Sequence, residues 1–202
     1  MEIRGFFVEV LGITNENLLE ELCNIAVMTK IKKGTLLVQK GEIQTYISFL
    51  VDGVFRGYYE SSDGKEVTDC FGYICGQPAM ASYDLESPTV TNLVAETDST
   101  CVRFSIADIK RLLEKYTELV YVYNQLLMKD MERHLRIKQI MYEYDAMGRY
   151  QWFLEAYPGL IDIVNHKNIA SFIGITPVSL SRVRRKLRGG GGTLSEKKSA
   201  KE

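Results

Sequence analysis

The sequence predicts an α+β fold, with an N-terminal antiparallel β-roll (a jelly roll, or double-stranded β-helix), a long central helix and a C-terminal group of short helices. Runs rich in Val, Ile, Phe, Tyr and Thr alternate with turn residues from about residue 31 to residue 105. Neither Gly nor Pro occurs between residues 117 and 144, and shorter helical patterns follow. The predicted division is residues 1–116, 117–144, 145–188 and a tail of 189–202.

The composition is that of a folded protein. Apolar residues make up 46% of the 202 residues and charged residues 25%, which excludes a disordered chain and a disulfide-stapled mini-protein. No apolar run could span a bilayer as a helix, and residues 1–10 lack the pattern of a secretory signal. We therefore expect a cytoplasmic protein with reduced cysteines and no membrane partner.

The β-roll is predicted from turns as well as strands. Leu18, Leu22 and Ile25 recur at helical spacing, so a short helix precedes the roll. Asp63 and Gly64 lie between two strand-like runs and predict a hairpin, because this pair readily adopts positive φ. The runs that predict strands and their turns are TLLVQKGE, YISFLVDG, VFRGYYESSDGKEVTDCFGY and VTNLVAETDSTCVRFS.

The central helix carries a pattern typical of self-association. Ser105 and Asp108 predict an N-cap for a first helical segment, and the long helix of about residues 117–144 follows. Steps of four and three favour a dimer seam, although a core helix lying on the barrel remains the alternative. The candidate seam is Val120, Asn124, Leu127, Met131 and His134, continued by Lys138 and Met141.

A helix-turn-helix is predicted between residues 167 and 187. Ala170 supplies the small residue needed where two helices cross, and Gly174 lets the chain turn four residues later. Thr176 caps the second helix and Pro177 occupies its first position, where the missing N–H has no cost. The aliphatic residues predicted to hold the second helix are Ile169, Ile173, Ile175, Leu180 and Val183.

A basic segment coincides with the second helix. Residues 182–188 read RVRRKLR, and residues 145–202 carry ten Lys and Arg against five Asp and Glu, although the whole chain has a net charge of −1. This asymmetry suggests an anionic partner, most simply double-stranded DNA, although a solvated basic helix end has the same composition. The candidate DNA-binding residues are Lys167, Thr176, Pro177, Val178, Ser179, Ser181, Arg182, Arg184, Arg185 and Lys186.

Residues 15–188 resemble the Crp–Fnr superfamily of bacterial transcription regulators. The resemblance rests on the run KKGTLLVQKGEIQTYISFLVDGVFRGYYESSDGKEV, on the segment from Tyr144 to Leu187, and on glycines at the family's turn positions. These glycines are Gly34, Gly41, Gly53 and Gly64. The resemblance implies a cyclic-nucleotide-binding-like sensor, a homodimer held by the long helix, paired recognition helices on a near-palindromic site, and RNA polymerase as a further candidate partner. It also implies that Arg182 reads a guanine.

The effector region departs from the cyclic-AMP-binding members, in which a Gly-Glu pair holds the ribose and an arginine neutralises the phosphate. Gly72 matches the glycine, but Tyr73 and Ile74 stand where the acid is expected, and the segment ESPTVTN has no arginine. A buried phosphate without such a partner is costly. We therefore expect a small-molecule effector other than cyclic AMP, such as an organic anion, or control without a ligand. The candidate pocket residues are Phe71, Gly72, Tyr73, Ile74, Thr89 and Thr91.

The second departure is at the end of the helix-turn-helix. Family members usually continue into a β-hairpin wing, whereas here GGGG follows the recognition helix at once. We expect the wing to be missing and residues 189–202 to be a disordered tail.

Other classes of protein are less well supported. Residues 31–105 contain no histidine, so a metal-dependent cupin is excluded, and no catalytic residue set, metal site or cofactor motif is evident. A haem ligand from His134 or His166, or a thiol switch among four widely spread cysteines, remains an alternative sensor. A β-roll adaptor or regulatory subunit that acts through protein contacts is the alternative from a different class.

Overall fold

The computed structural model describes residues 1–81 and 84–189. The chain divides into two compact units, the first of residues 1–138 and the second beginning at residue 139. The first unit begins with helices α1 (Ile3–Gly5) and α2 (Glu16–Ile25), separated by a π-helical segment (Phe6–Val10). Its strands are β1 (Val27–Ile31), β2 (Leu36–Val38), β3 (Tyr46–Asp52), β4 (Phe55–Glu60), β5 (Glu66–Gly72), β6 (Pro78–Ala79), β7 (Asn92–Ala95) and β8 (Ser99–Ser105). Helix α3 (Ile106–Lys115) and helix α4 (Thr117–Glu143) follow, and α4 continues into the second unit.

The strands form two four-stranded antiparallel sheets. One sheet has the order β1-β8-β3-β6 and the other β2-β7-β4-β5. Leu50 and Cys101 from the first sheet and Phe55 and Leu93 from the second are buried in a common core. This arrangement is the predicted jelly roll, and together with the helices it confirms the α+β fold class.

The hairpin between β4 and β5 forms where the sequence predicts it. Gly64 has φ +74°, and the backbone N–H of Ser61 donates to the carbonyl oxygen of Lys65 at 2.9 Å. Further along the same pair of strands, a Cβ on Gly57 would come within 2.7 Å of the Cys70 sulfur. Only glycine therefore lets β4 approach β5 this closely.

The N-terminal helical segments form a second core against one sheet. Phe6 and Phe7 are fully buried, and their rings contact those of Phe49 and Phe104. Helix α3 begins as predicted, because the Ser105 hydroxyl accepts from the backbone N–H of Asp108 at 3.1 Å. The π-helical segment that carries the two phenylalanines was not predicted from the sequence.

The second unit is a small helical domain. Its helices after α4 are α5 (Ala146–Ala156), α6 (Leu160–Ile163), α7 (His166–Phe172) and α8 (Pro177–Gly189). An aromatic core of Trp152, Phe153, Tyr157 and Phe172 joins α5 to α7. The tail was predicted for residues 189–202, but Gly189 is the last residue of α8, and residues 190–202, which also concern the missing wing, lie outside the described residues.

Candidate functional sites: a helix-turn-helix surface and a β-roll cavity

Helices α7 and α8 are arranged as the helix-turn-helix pattern predicts. Gly174 adopts φ +64° in the turn, and the backbone N–H of Ile175 donates to the carbonyl oxygen of Ala170 at 2.9 Å. The Thr176 hydroxyl accepts from the backbone N–H of Ser179 at 3.1 Å, so Thr176 caps α8. Pro177 is the first residue of that helix, as expected from its missing N–H.

The turn is braced by a residue that the sequence analysis did not single out. Arg149 on α5 donates from Nη1 to the carbonyl oxygen of Ile173 at 3.1 Å and lies 3.4 Å from that of Gly174. These carbonyls belong to the end of α7 and the turn, where intrahelical partners run out. Nothing in the local sequence near Arg149 signals this role, because its partners are distant along the chain.

Helix α8 separates an aliphatic face from a basic face. Leu180 and Val183 are buried, together with Ile169 and Ile173 of the preceding helix and turn. Val178, by contrast, is 62% exposed. The other candidate DNA-binding residues that are exposed are Lys167, Thr176, Pro177, Ser181, Arg182, Arg185 and Lys186.

Two of the candidate residues are only partly exposed. Ser179 lies in the first turn of α8, where its side-chain oxygen is 3.0 Å from the Thr176 hydroxyl. Arg184 extends toward α7, where its Nη1 lies 2.9 Å from Nδ1 of His166. His166 Nε2 lies 3.2 Å from the carbonyl oxygen of Ile161 and 3.0 Å from Arg184 Nη1. Arg184 is therefore already engaged within the domain.

A cavity of about 140 Å³ lies within the first unit, between the β-roll and α4. Most of its wall is apolar, and its polar end contains Asp69 of β5 with Asp130, Arg133 and His134 of α4. The sequence analysis assigned His134 to the dimer seam and did not single out the other three residues. The sequence does not predict that Asp69 lies near these residues of α4, because β5 and α4 are far apart along the chain.

The six predicted effector residues are not all brought to this cavity. Gly72 and Thr91 line it. Phe71 is fully buried in the core, and the Thr89 hydroxyl donates to the carbonyl oxygen of Gln39 at 2.7 Å. The loop residues Tyr73 and Ile74 follow β5 but do not belong to the cavity wall.

The backbone N–H groups of Tyr73 and Ile74 are hydrogen-bonded to a neighbouring side chain. Their N–H groups donate to Oε1 of Gln77, at 2.7 Å and 2.8 Å. Gln77 itself lines the cavity. The two backbone N–H groups of this loop are therefore satisfied by the side-chain amide of Gln77.

The charged groups at the polar end of the cavity are coupled through Asp130. Its carboxylate accepts from Arg133 and lies 3.4 Å from His134 Nε2. Burial raises the pKa of Asp130, but its hydrogen bonds and the charges of His134 and Arg133 outweigh burial and lower it. The hydrogen bond to Asp130 raises the pKa of His134 against the effect of burial.

The cysteines of the roll are in environments that favour the protonated thiol. Burial, followed by the charge of the nearby Asp69, raises the pKa of Cys70 to about 12. Burial likewise raises the pKa of Cys101 to about 12. Because the thiolate is the reactive form, these two cysteines are suited to a structural role.

Helix α4 exposes two overlapping stripes, which are the predicted seam and a second stripe that shares Asn124 and Met131 with it. Leu127 and His134 line the β-roll cavity, so part of their surface faces inward. Met128 and Leu135, one position further along, are 56% and 58% exposed. The other exposed apolar residues on this stretch of α4 are Val120, Tyr121, Leu127 and Met131, and Asn124 is exposed beside them.

Neither a membrane helix nor a metal cluster occurs in the described part of the chain. No helix within residues 1–81 and 84–189 is long and apolar enough to cross a bilayer. In the same residues, no three side chains of His, Cys, Asp or Glu are grouped so that they could hold a metal ion.

Comparison with known families identifies the class of the β-roll. Residues 28–116 match the family model of the cyclic nucleotide-binding domain. The matched stretch contains all eight strands except the first residue of β1. No curated protein matches the sequence significantly.

Solved structures extend the comparison to the whole fold. FixK2 from Bradyrhizobium japonicum is 15% identical, with a TM-score of 0.74 over 85% of this chain and 90% of its own. A protein from Eubacterium rectale described as a Crp/Fnr-family transcriptional regulator is 16% identical, with a TM-score of 0.72 over 92% of this chain and 88% of its own. CLP from Xanthomonas campestris, a c-di-GMP responsive global regulator, is 15% identical, with a TM-score of 0.69 over 91% and 97%. The predicted resemblance to Crp–Fnr regulators is thus confirmed in the fold.

Proposed function

We propose that this protein is a dimeric transcription regulator that binds double-stranded DNA through α8 and senses a small molecule other than cyclic AMP in its β-roll. The observation that carries the proposal is the capped, glycine-turned helix-turn-helix, whose second helix presents basic residues opposite a buried aliphatic face. Structures of Crp/Fnr-type regulators with the same fold support it.

The exposed arginines of α8 divide by their position along the helix. Arg182 lies in the second turn, near the end that carries the helix's partial positive charge. A guanidinium there suits O6 and N7 of guanine in the major groove. Arg185 and Lys186 lie further along α8, where contact with phosphates is the expected role.

The proposed dimer uses the exposed stripe of α4. Tyr121, Met128 and Leu135 recur every seven residues on that stripe, with Asn124 and Met131 between them. This is the spacing of a two-stranded coiled coil, in which apolar side chains of one helix pack against those of its partner. The proposed seam shares Asn124 and Met131 with the one that the sequence predicts and has Tyr121, Met128 and Leu135 in place of Val120, Leu127 and His134.

The cavity argues against cyclic AMP as effector. The guanidinium at its polar end belongs to Arg133, which is already paired with Asp130. A cyclic phosphate placed there would meet the carboxylates of Asp69 and Asp130, and like charges at close range are unfavourable. We expect calorimetric titration to give no binding of cyclic AMP at micromolar affinity.

Selection of DNA sites tests the proposed function directly. The full chain is incubated with random duplexes at fixed salt, and bound sequences are compared for wild type, Arg182→Ala and, as a control distant from α8, Lys40→Ala. We expect a near-palindromic site for wild type and for Lys40→Ala. Arg182→Ala should lose about 1–3 kcal/mol and relax preference at one base pair in each half-site. Absence of any selected sequence would refute the proposal.

A further inference from the structure

The β-roll cavity contains two charged groups with unused hydrogen-bonding capacity. Among the described residues, the Asp69 carboxylate has no hydrogen-bond or ion-pair partner, although it lines the cavity. Arg133 donates from Nη2 to Asp130, whereas its Nε is buried without a hydrogen-bond partner. A buried donor is normally paired, so the free Nε of Arg133 indicates a ligand that accepts from it, and the partly exposed carboxylate of Asp69 can accept from the same ligand.

Charged groups of both signs lie at this end of the cavity. Asp69 and Asp130 are carboxylates, Arg133 is a permanent cation, and the Asp130 contact favours the protonated form of His134. A simple anion would be repelled by Asp69, and a simple cation would be repelled by Arg133. A molecule that carries one charge of each sign satisfies both groups without adding net charge to a partly buried site.

The rest of the cavity is suited to a hydrocarbon group. Leu93, Phe104 and Leu126 are among the apolar side chains of its wall. Its volume of about 140 Å³ is close to that of an engineered apolar cavity, about 150 Å³, that binds benzene. Because this volume includes the polar end of the cavity, a matching ligand is small as a whole, and its apolar part is a short branched aliphatic group or a single small ring.

We propose that this cavity binds a small apolar α-amino acid as its zwitterion, with the ammonium group on Asp69, the carboxylate on Nε of Arg133 and the side chain among the apolar wall residues. Asp130 accepts from Nη2 of Arg133, which leaves Nε available to the ligand. The proposal deepens the sensing role proposed above, because it rests on this cavity being the effector site. L-Leucine is the first probe, since its side chain is a branched aliphatic group.

A series of analogues tests the proposal on the wild-type protein. Isothermal titration of the full chain is performed with L-leucine, with N-acetyl-L-leucine, which lacks the ammonium group, and with L-leucinol, which lacks the carboxylate. L-Leucine should bind, and each analogue should bind at least tenfold more weakly, because each leaves one buried charge unpaired. Equal binding of L-leucine and either analogue, or no binding of L-leucine, L-valine and L-phenylalanine, would overturn the proposal.

Two substitutions assign the charges to residues. Asp69→Asn and Arg133→Gln should each weaken L-leucine at least tenfold. Glu60→Gln on the exposed end of β4 and Lys129→Gln on the exposed side of α4 are the matched controls and should bind as wild type does. Thermal unfolding of each variant checks that it is folded, and the analogue series remains decisive if one is not. Wild-type affinity in both folded site variants would refute the assignment.

DNA binding is measured in the same preparations, so that the two proposals can fail separately. Selection of a DNA site together with no amino-acid binding would overturn the proposed ligand but support the proposed DNA-binding function. Amino-acid binding without a selected DNA site would support the proposed ligand and refute the proposed DNA-binding function.

Discussion

Nη1 of Arg149 donates to the carbonyl oxygen of Ile173 at 3.1 Å, and this contact ties α5 to the end of α7. The same nitrogen would lie 3.0 Å from a Cβ added to Gly174. The turn of the helix-turn-helix is therefore restricted twice at one position, by its positive φ and by the guanidinium beside it.

Replacement of Gly174 by Ala should destabilise the second unit more than a matched replacement elsewhere. Gly174 and Gly159 have φ +64° and +77°, but a Cβ on Gly159 would meet nothing within 4 Å. Gly159→Ala should cost about 1–2 kcal/mol from backbone strain alone. Gly174→Ala should cost about 1 kcal/mol more, because Arg149 must move from its carbonyl partner. Equal losses in urea unfolding would contradict the bracing role.

The dimer seam can be located by introducing charge on either side of it. Met128→Asp with Leu135→Asp should yield monomers in sedimentation experiments, because unpaired carboxylates would be forced into the interface. Gln125→Asp, on an exposed position of the same helix, is the control and should remain dimeric. Monomers from Leu127→Asp alone, with the double variant still dimeric, would instead favour the seam predicted from the sequence.

The basic residues of α8 should differ in their effect on the salt dependence of DNA binding. Arg185→Ala should lower the slope of log affinity against log salt by about one unit for each protomer, because one phosphate contact is lost. Arg184→Ala should lower it less, since Arg184 Nη1 already contacts His166. Fluorescence anisotropy at several salt concentrations measures both slopes. The reverse order would show that Arg184 leaves His166 when DNA binds.

Acid should weaken the packing of α2 against α3 through Glu21. Hydrogen bonds from Lys115 and Tyr116, opposed by burial and aided by Arg111, lower the pKa of Glu21 from 4.5 to about 2. Since the folded-state pKa is depressed, the stabilisation is present above about pH 4.5 and is lost as the pH falls toward 2. The urea midpoint of Glu21→Gln should thus fall less between pH 7 and pH 3 than that of wild type. Glu20→Gln, an exposed neighbour, is the control and should follow wild type.

The elements with strong local signals were predictable from the sequence. The Asp63-Gly64 hairpin, the Ser105 cap and the Thr176-Pro177 helix start all depend on residues close together in the chain, and each forms as expected. The π-helical segment Phe6–Val10 was not predictable in this way, since five residues are too few to establish a period. Its two phenylalanines are placed by the sheet on which they pack.

The candidate sites were predictable only in part. The spacing on α4 fits two seams that share Asn124 and Met131, and only the cavity contact of Leu127 and His134 distinguishes these two residues from Met128 and Leu135. The polar end of the cavity joins Asp69 to α4, and such a long-range meeting has no local sequence signal. The helix-turn-helix was easier to predict from the sequence, because its small residue, turn residue and cap residue follow one another in the chain.

The loop after β5 is complete without a guest molecule. Gln77 Oε1 receives the N–H groups of both Tyr73 and Ile74, so two donors that could point to a bound oxygen are already satisfied within the protein. A ligand that sought those donors would have to displace the amide and leave it to find another partner. In the sensing role proposed above, effector binding would therefore not have to order this loop, and its free energy would be available for changes elsewhere in the protein.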